Sequence, residues 1–256
     1  MNHLLLLGAR FSRNWGGWLA TEVNDHLFTS PQIIADGYLQ DLLHRYAATG
    51  GFEAALGECQ TNYLQNPAEY RNHLENLQSA IDTMFLDMEA GFASKLPLQF
   101  SQELKFSVSR FLARFDTIFT LNQDLLLERH YLQSDVQTAT PRIWNGWASP
   151  GMRPQSDPST TDCRRVRWIP GQPSDFRVER SIQPYYKLHG SWNWWSADGT
   201  RMMILGGNKP AALAQHPVLE WYQRQFAASL SKPDTRLMVV GYGYGDRHIN
   251  GVENER

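Results

Sequence analysis

Two short stretches hold the residue types that can do chemistry. In Phe119-Thr120-Leu121-Asn122-Gln123-Asp124 an apolar run ends abruptly in a polar cluster. An amide and a carboxylate two residues apart point to the same side of an extended segment, so Asn122 and Asp124 can face one ligand together. In Lys187-Leu188-His189-Gly190-Ser191 an imidazole, which titrates close to neutral pH, stands before a glycine that lets the backbone turn sharply. Taken alone, His189 also reads as a satisfied structural histidine. Its His-Gly-Ser setting after a β-prone Tyr185-Tyr186 lead-in favours chemistry.

Each stretch needs a strand to deliver it. Thr117-Ile118-Phe119 reads as a buried parallel strand whose carboxyl end carries polar residues into a crevice. Residues 3–8 make a first strand, and the glycine-rich turn GARFSRNWGG follows it. Such a turn between strand and helix lets backbone N–H groups approach a pyrophosphate. Arg236–Val240 reads as another buried strand, running into a second glycine-rich loop, GYGYGDRHIN.

The four blocks GARFS, TLNQD, KLHGS and GYGYGD, in that order, resemble the signature blocks of the Sir2-like (sirtuin-related) superfamily, and the likeness covers most of the chain. It is nearest to bacterial SIR2-like proteins that cleave NAD in antiphage defence. The resemblance implies an α/β fold with a Rossmann-like parallel sheet, as one domain over residues 1–256. Within that domain the residues themselves read as a helical insert at about 31–100 and an irregular insert at about 131–181, where a single cysteine, Cys163, leaves no zinc ribbon. Gly8, Ala9 and Ser12 match the family pattern G-A-G-x-S, whereas Arg10 stands where the second glycine is expected. Arg10 either swings outward to add a phosphate contact or obstructs the pocket. The cofactor-binding set implied is Gly8, Ala9, Arg10, Ser12, Asn14, Thr120, Gly190, Gly241, Gly243 and Asp246. His248 and Asn250 are weaker candidates, and His248 reads as capping or packing a helix.

The rest of the chain is scaffold. Ile33, Ile34, Tyr38, Leu39, Leu42, Leu43 and Tyr46 recur at helical spacing. Phe52–Leu64 and Pro67–Phe92 continue the pattern, giving a helical layer that either covers the site or mediates oligomerisation. Phe100–Phe115 reads as a further helix. Residues 131–181 read as an irregular loop or small β subdomain with an exposed tip around Pro150–Thr161. Trp192-Asn193-Trp194-Trp195 reads either as a wall of the cleft or as plain packing. A helix over His216–Leu230 follows.

The totals set limits. In 256 residues the formal net charge is −2, so the whole chain makes no electrostatic case for nucleic acid. Leu4–Leu7 lacks a basic leader and is soon interrupted by Gly8 and Arg10, so a buried strand is expected and not a signal peptide or membrane span. Two distant cysteines, Cys59 and Cys163, suit a cytoplasmic chain with free thiols and no structural zinc. The chain stops soon after GYGYGDRHIN, where relatives are expected to continue, which reads as a truncation or a fragment.

By resemblance, Asn122 would orient the ribose hydroxyls and the attacking water, with His189 as general base. Asp124 would fix hydrogen bonding on the nicotinamide side or hold neighbouring loops. Three activities follow: NAD glycohydrolysis giving ADP-ribose and nicotinamide without a metal, silent binding of NAD or ADP-ribose, and NAD-dependent protein deacylation. The absent zinc cysteines count against the last. Implied partners are NAD or ADP-ribose, further copies of the chain, and a helicase, nuclease or Argonaute-type defence subunit.

Overall fold

Leu4, Leu5, Leu6 and Leu7 are all fully buried, and successive side chains go to opposite faces. Leu5 and Leu7 join one core and Leu4 and Leu6 the other. A strand apolar on both sides needs cover on both sides, as in the interior of an α/β sheet. The computed structural model, which describes residues 1–94, 108–131, 144–156, 166–206 and 209–254, shows that arrangement. Strands β1 (Asn2–Leu7), β2 (Thr117–Thr120), β3 (Trp147–Ala148), β6 (Gln183–Lys187) and β9 (Thr235–Val240) lie parallel in the order β3-β6-β2-β1-β9. The expected Rossmann-like α/β sheet is present. Ile118 and Phe119 split between the two cores as the leucines do, and so do Tyr185 and Tyr186.

One face is covered by α2 (Ala20–Thr29), α3 (Pro31–Ile34), α4 (Gly37–Tyr46), α5 (Gly51–Gln65) and α6 (Pro67–Ala93). Asp36 begins α4, its carboxylate accepting the Leu39 amide at 3.2 Å, and Pro67 occupies the first turn of α6. Leu77, Ile81, Met84, Phe85, Met88 and Phe92 form the buried stripe of α6. The other face is covered chiefly by α10 (Pro217–Leu230), through Leu219, Tyr222 and Phe226. Shorter helices are α1 (Ala9–Arg13), α7 (Val108–Leu112), α8 (Leu126–His130), α9 (Lys209–Ala214) and α11 (Arg247–Asn254).

Beside the main sheet, β4 (Met152–Pro154), β5 (Trp168–Pro170), β7 (Gly190–Trp195) and β8 (Arg201–Met203) make a second sheet in the order β4-β5-β7-β8. The second insert therefore contributes a small β subdomain, completed by the hairpin after KLHGS. No helix among the described residues is long and apolar enough to cross a membrane.

Several local expectations change. The turn after β1 is already helical, as α1. Among the described residues, the strand expected to be buried at Arg236–Val240 is an edge strand paired only with β1, and Arg236 and Met238 are exposed. Pro150, Gly151 and Met152 are buried and not an exposed tip, and Tyr222 donates its hydroxyl to the Pro150 carbonyl at 2.8 Å. Residues 157–161 of that expected tip, residues 100–107 of the helix expected at Phe100–Phe115, and Cys163 lie outside the described residues.

Candidate active site

Four chain segments leave the carboxyl ends of β1, β2, β6 and β9 and meet over one crevice, where parallel sheets place their ligands. They wall a cavity of about 600 Å³ with Gly8, Ala9 and Arg10, Leu121–Asp124, His189, and Gly241–Gly243 with Gly245 and Asp246. The volume falls within the roughly 300–1,000 Å³ usual for ligand cavities. The opposite wall is largely apolar: Trp18 just before α2, then Val23, Phe52, Met84, Phe85 and Met88 of the helical layer. The helical layer thus covers the site. Asn122 and His189, brought by separate strands, line the same cavity.

Asn122 is held from several sides. Its backbone N–H donates to the Thr120 hydroxyl at 3.1 Å. Its side-chain Nδ2 donates to the Gly8 carbonyl at 3.2 Å and to Ser12 Oγ at 2.9 Å. With both amide hydrogens committed, Oδ1 remains as an acceptor for a ligand. Ser12 also bonds the Asp124 carboxylate, so one hydroxyl joins the two side chains. Asp124 accepts the Leu126 amide at 3.1 Å at the start of α8. Burial raises its pKa, against the opposing pull of Lys187.

Beneath this loop lies a buried charge cluster. The Lys187 ammonium, fully buried, donates to the Asp124 carbonyl and to Glu128 Oε1, the latter at 2.7 Å. Glu89 of α6 accepts the Leu125 amide at 2.7 Å. Burial, reinforced by the Asp124 charge, pushes its carboxyl up to about 8.

His189 follows β6, is 2% exposed, and places Nε2 at 3.0 Å from Nε2 of His248 on α11. Burial, then the nearby Lys209 charge, drives its pKa down to about 3, so the ring is neutral near pH 7. Lys209 bridges Asp246 at 2.9 Å and Glu53 at 2.8 Å, tying α9, the last glycine loop and the helical layer together. Burial alone would lower the Lys209 pKa; the two carboxylates outweigh it and raise it. Burial likewise raises the Asp246 carboxyl, but the paired Lys209 ammonium outweighs it and the pKa is lowered. His189, Asp246 and His248 bring their ligand atoms within 4.8 Å of one another, a spacing a divalent ion can span. Lys209 already supplies a cation to that carboxylate.

The expected residues divide in two. Gly8, Ala9, Arg10, Asn122, Asp124, His189, Gly241, Gly243 and Asp246 line the cavity. Ser12 and Thr120 lie behind it and hold Asn122; Asn14 closes α1 and is exposed. Gly190 is a packing glycine: its φ is +72°, and a Cβ there would meet the Met202 carbonyl oxygen at 1.9 Å. Gly8 and Gly241 serve loop-to-loop contact, since a Cβ on Gly8 would lie 2.6 Å from Tyr242 Cα. The backbone cradle expected for a pyrophosphate is largely occupied. The amides of Gly8, Arg10 and Phe11 bond the carbonyls of Val240, Gly241 and Gly8. Arg10 presents an exposed side chain at the cavity instead.

The tryptophan run does not wall this cavity. Trp192 stacks near Phe85, Trp194 packs on Tyr222, and Trp195 borders a separate 420 Å³ cavity. Lys209 and Glu53 were missed; the sequence cue was a lysine following Gly206-Gly207-Asn208. His248 is corrected from helix packing to direct contact with His189.

A family model described as SIR2-like domain matches residues 116–255, more than half the chain. The chain belongs to the SIR2-like family. A search of curated proteins finds no match. The matched region carries Asn122, Asp124, His189 and Asp246, whereas the first glycine loop and the helical layer precede it. SIR2-like membership is compatible with an NAD-dependent enzyme. With two cysteines in the chain, the four-cysteine zinc ribbon of the deacetylases has no ligand set.

Proposed function

We propose that this SIR2-like chain is an NAD⁺ glycohydrolase that cleaves the nicotinamide–ribose bond to give ADP-ribose and nicotinamide. The observation that carries the reading is the convergence of Asn122 and His189 on one cavity bounded by both glycine-rich loops. Nicotinamide on NAD⁺ is cationic and leaves as a neutral molecule, while the ribose develops oxocarbenium character. A site assists by holding the sugar, favouring that charge and delivering water. Asn122 Oδ1, fixed through its Nδ2 bonds to Gly8 and Ser12, accepts a hydrogen bond from a ribose hydroxyl or from the water. His189, neutral near pH 7, serves as the base. Asp124 acts through Ser12 to hold Asn122. Arg10 replaces part of the occupied amide cradle as the group facing the pyrophosphate. The mechanism needs no metal.

The test is turnover by purified protein, followed by separation of nicotinamide and ADP-ribose. Wild type is expected to consume NAD⁺, and Asn122→Ala or His189→Ala to lose at least about 100-fold in kcat. Full turnover in both variants would remove the mechanism. A second reading, binding of ADP-ribose or NAD without turnover, draws on the occupied amides and Arg10. It would show as tight binding with no products, and Arg10→Gly would restore cleavage. For the biological setting we propose cytoplasmic antiphage defence by NAD depletion. Self-assembly or a partner defence subunit then supplies the trigger.

A further inference from the structure

The hydrolysis proposed above leaves a proton behind: water gives its oxygen to the anomeric carbon, nicotinamide departs neutral, and one hydrogen ion remains. His189 is 2% exposed and its cavity side is filled by substrate during turnover, so a proton taken there needs another route out. We propose that His248 is that route, a positioning residue that fixes the tautomer of His189 and accepts its proton; this rests on the glycohydrolase reading.

The two Nε2 atoms are 3.0 Å apart. Two bare nitrogens repel and two N–H groups clash, so one ring donates and the other accepts. The contact engages Nε2 of His189, so Nδ1 is the ring nitrogen left available to a ligand. For Nδ1 to act as base it must be bare. His189 therefore donates from Nε2 to a bare Nε2 of His248, which carries its own hydrogen on Nδ1. As the water O–H bond breaks, its hydrogen forms a bond to Nδ1 of His189. The Nε2–H bond of His189 breaks in turn, and that hydrogen bonds to Nε2 of His248. The half-buried His248 then releases its Nδ1 hydrogen to solvent. After the products leave, water enters the cavity that the dinucleotide filled: Nδ1 of His189 gives its hydrogen to that water, the shared hydrogen returns from Nε2 of His248 to Nε2 of His189, and Nδ1 of His248 regains one from solvent. The logic is that of a base oriented by a third group.

The surrounding charges favour this direction. Asp246, in the loop before α11, faces both rings; Lys209 of α9 faces both, and Glu53 of α5 holds Lys209. At His189, burial and then the Lys209 charge oppose protonation before Asp246 supports it. At His248, where burial also lowers the pKa, Asp246 acts more strongly than Lys209. A positive charge is thus better placed on the outer ring.

The experiment measures NAD⁺ turnover by the full chain and by His248→Gln and His248→Ala across the pH range, with and without added imidazole. Expected are a kcat lower by about 100-fold, a KM changed little, and recovery of His248→Ala that grows with imidazole concentration. Variants with wild-type kcat at every pH, or losses that imidazole leaves untouched, would overturn the proposal. Wild type inert toward NAD⁺ would count against the parent reading, and nitrogen NMR of ¹⁵N-histidine protein decides the relay separately. Nε2–H on His189 with Nδ1–H on His248 supports it, and the reverse pair overturns it.

Discussion

The reactivity assigned to Asn122 depends on one hydroxyl. Ser12 Oγ accepts Nδ2 of Asn122 at 2.9 Å and bonds Asp124, so it fixes which end of the amide faces the cavity. Ser12→Ala removes that link without touching a ligand-facing atom. Because small misplacements cost catalysis more than binding, its kcat is expected to fall by about 10- to 100-fold with KM for NAD⁺ nearly unchanged. An unaltered kcat would mean that Asn122 is held adequately by Thr120 and the Gly8 carbonyl. The residue types in this network were legible in the sequence, since an Asn-x-Asp after an apolar run and a Ser in a glycine turn both stand out. Their pairing was not. Ser12 and Asn122 are far apart in the chain, and only the parallel alignment of β1 with β2 brings them together. His248 was misread for the same reason: nothing local tells a histidine in the first turn of α11 that it will face the end of β6.

At the scale of elements, the helical layer does more than cover the sheet. Glu89 of α6 accepts the Leu125 amide and so anchors the loop that carries Asn122 and Asp124. Its carboxyl is raised from 4.5 to about 8 by burial and by Asp124. The fold therefore prefers the protonated acid. That contribution is complete below the unfolded value and is lost as pH rises through about 8. Glu89→Gln keeps the acceptor and removes the charge. Its melting temperature is expected to match wild type at about pH 5 and to exceed it at about pH 8.5. A lower melting temperature at both would show that a charged Glu89 pairs usefully with Arg129, whose Nε lies 3.9 Å away. The long helices were legible because α6 repeats apolar residues at helical spacing, and Glu89 itself interrupts that buried stripe. The short elements were not. Helix α1 has five residues within a glycine-rich turn, and the exposure of β9 follows from its edge position, which no local pattern encodes.

For the whole molecule, the parallel order β3-β6-β2-β1-β9 sends four strand ends to one side, and the helical layer closes the cavity above them. The family match covers β2 onward, so the first glycine loop and the apolar wall are built by the part of the chain outside it. Lys209 joins the two parts by pairing with both Glu53 and Asp246. The sheet and its order of blocks followed from the sequence; the assignment of the tryptophans to packing needed the second sheet. The most direct measurement is the structure of the His189→Ala chain soaked with NAD⁺. The dinucleotide is expected across both glycine loops, with its nicotinamide-side ribose within hydrogen-bonding reach of Asn122 Oδ1 and beside position 189. Density for the dinucleotide in the cavity at Trp195, or in none of the cavities at saturating concentration, would contradict it.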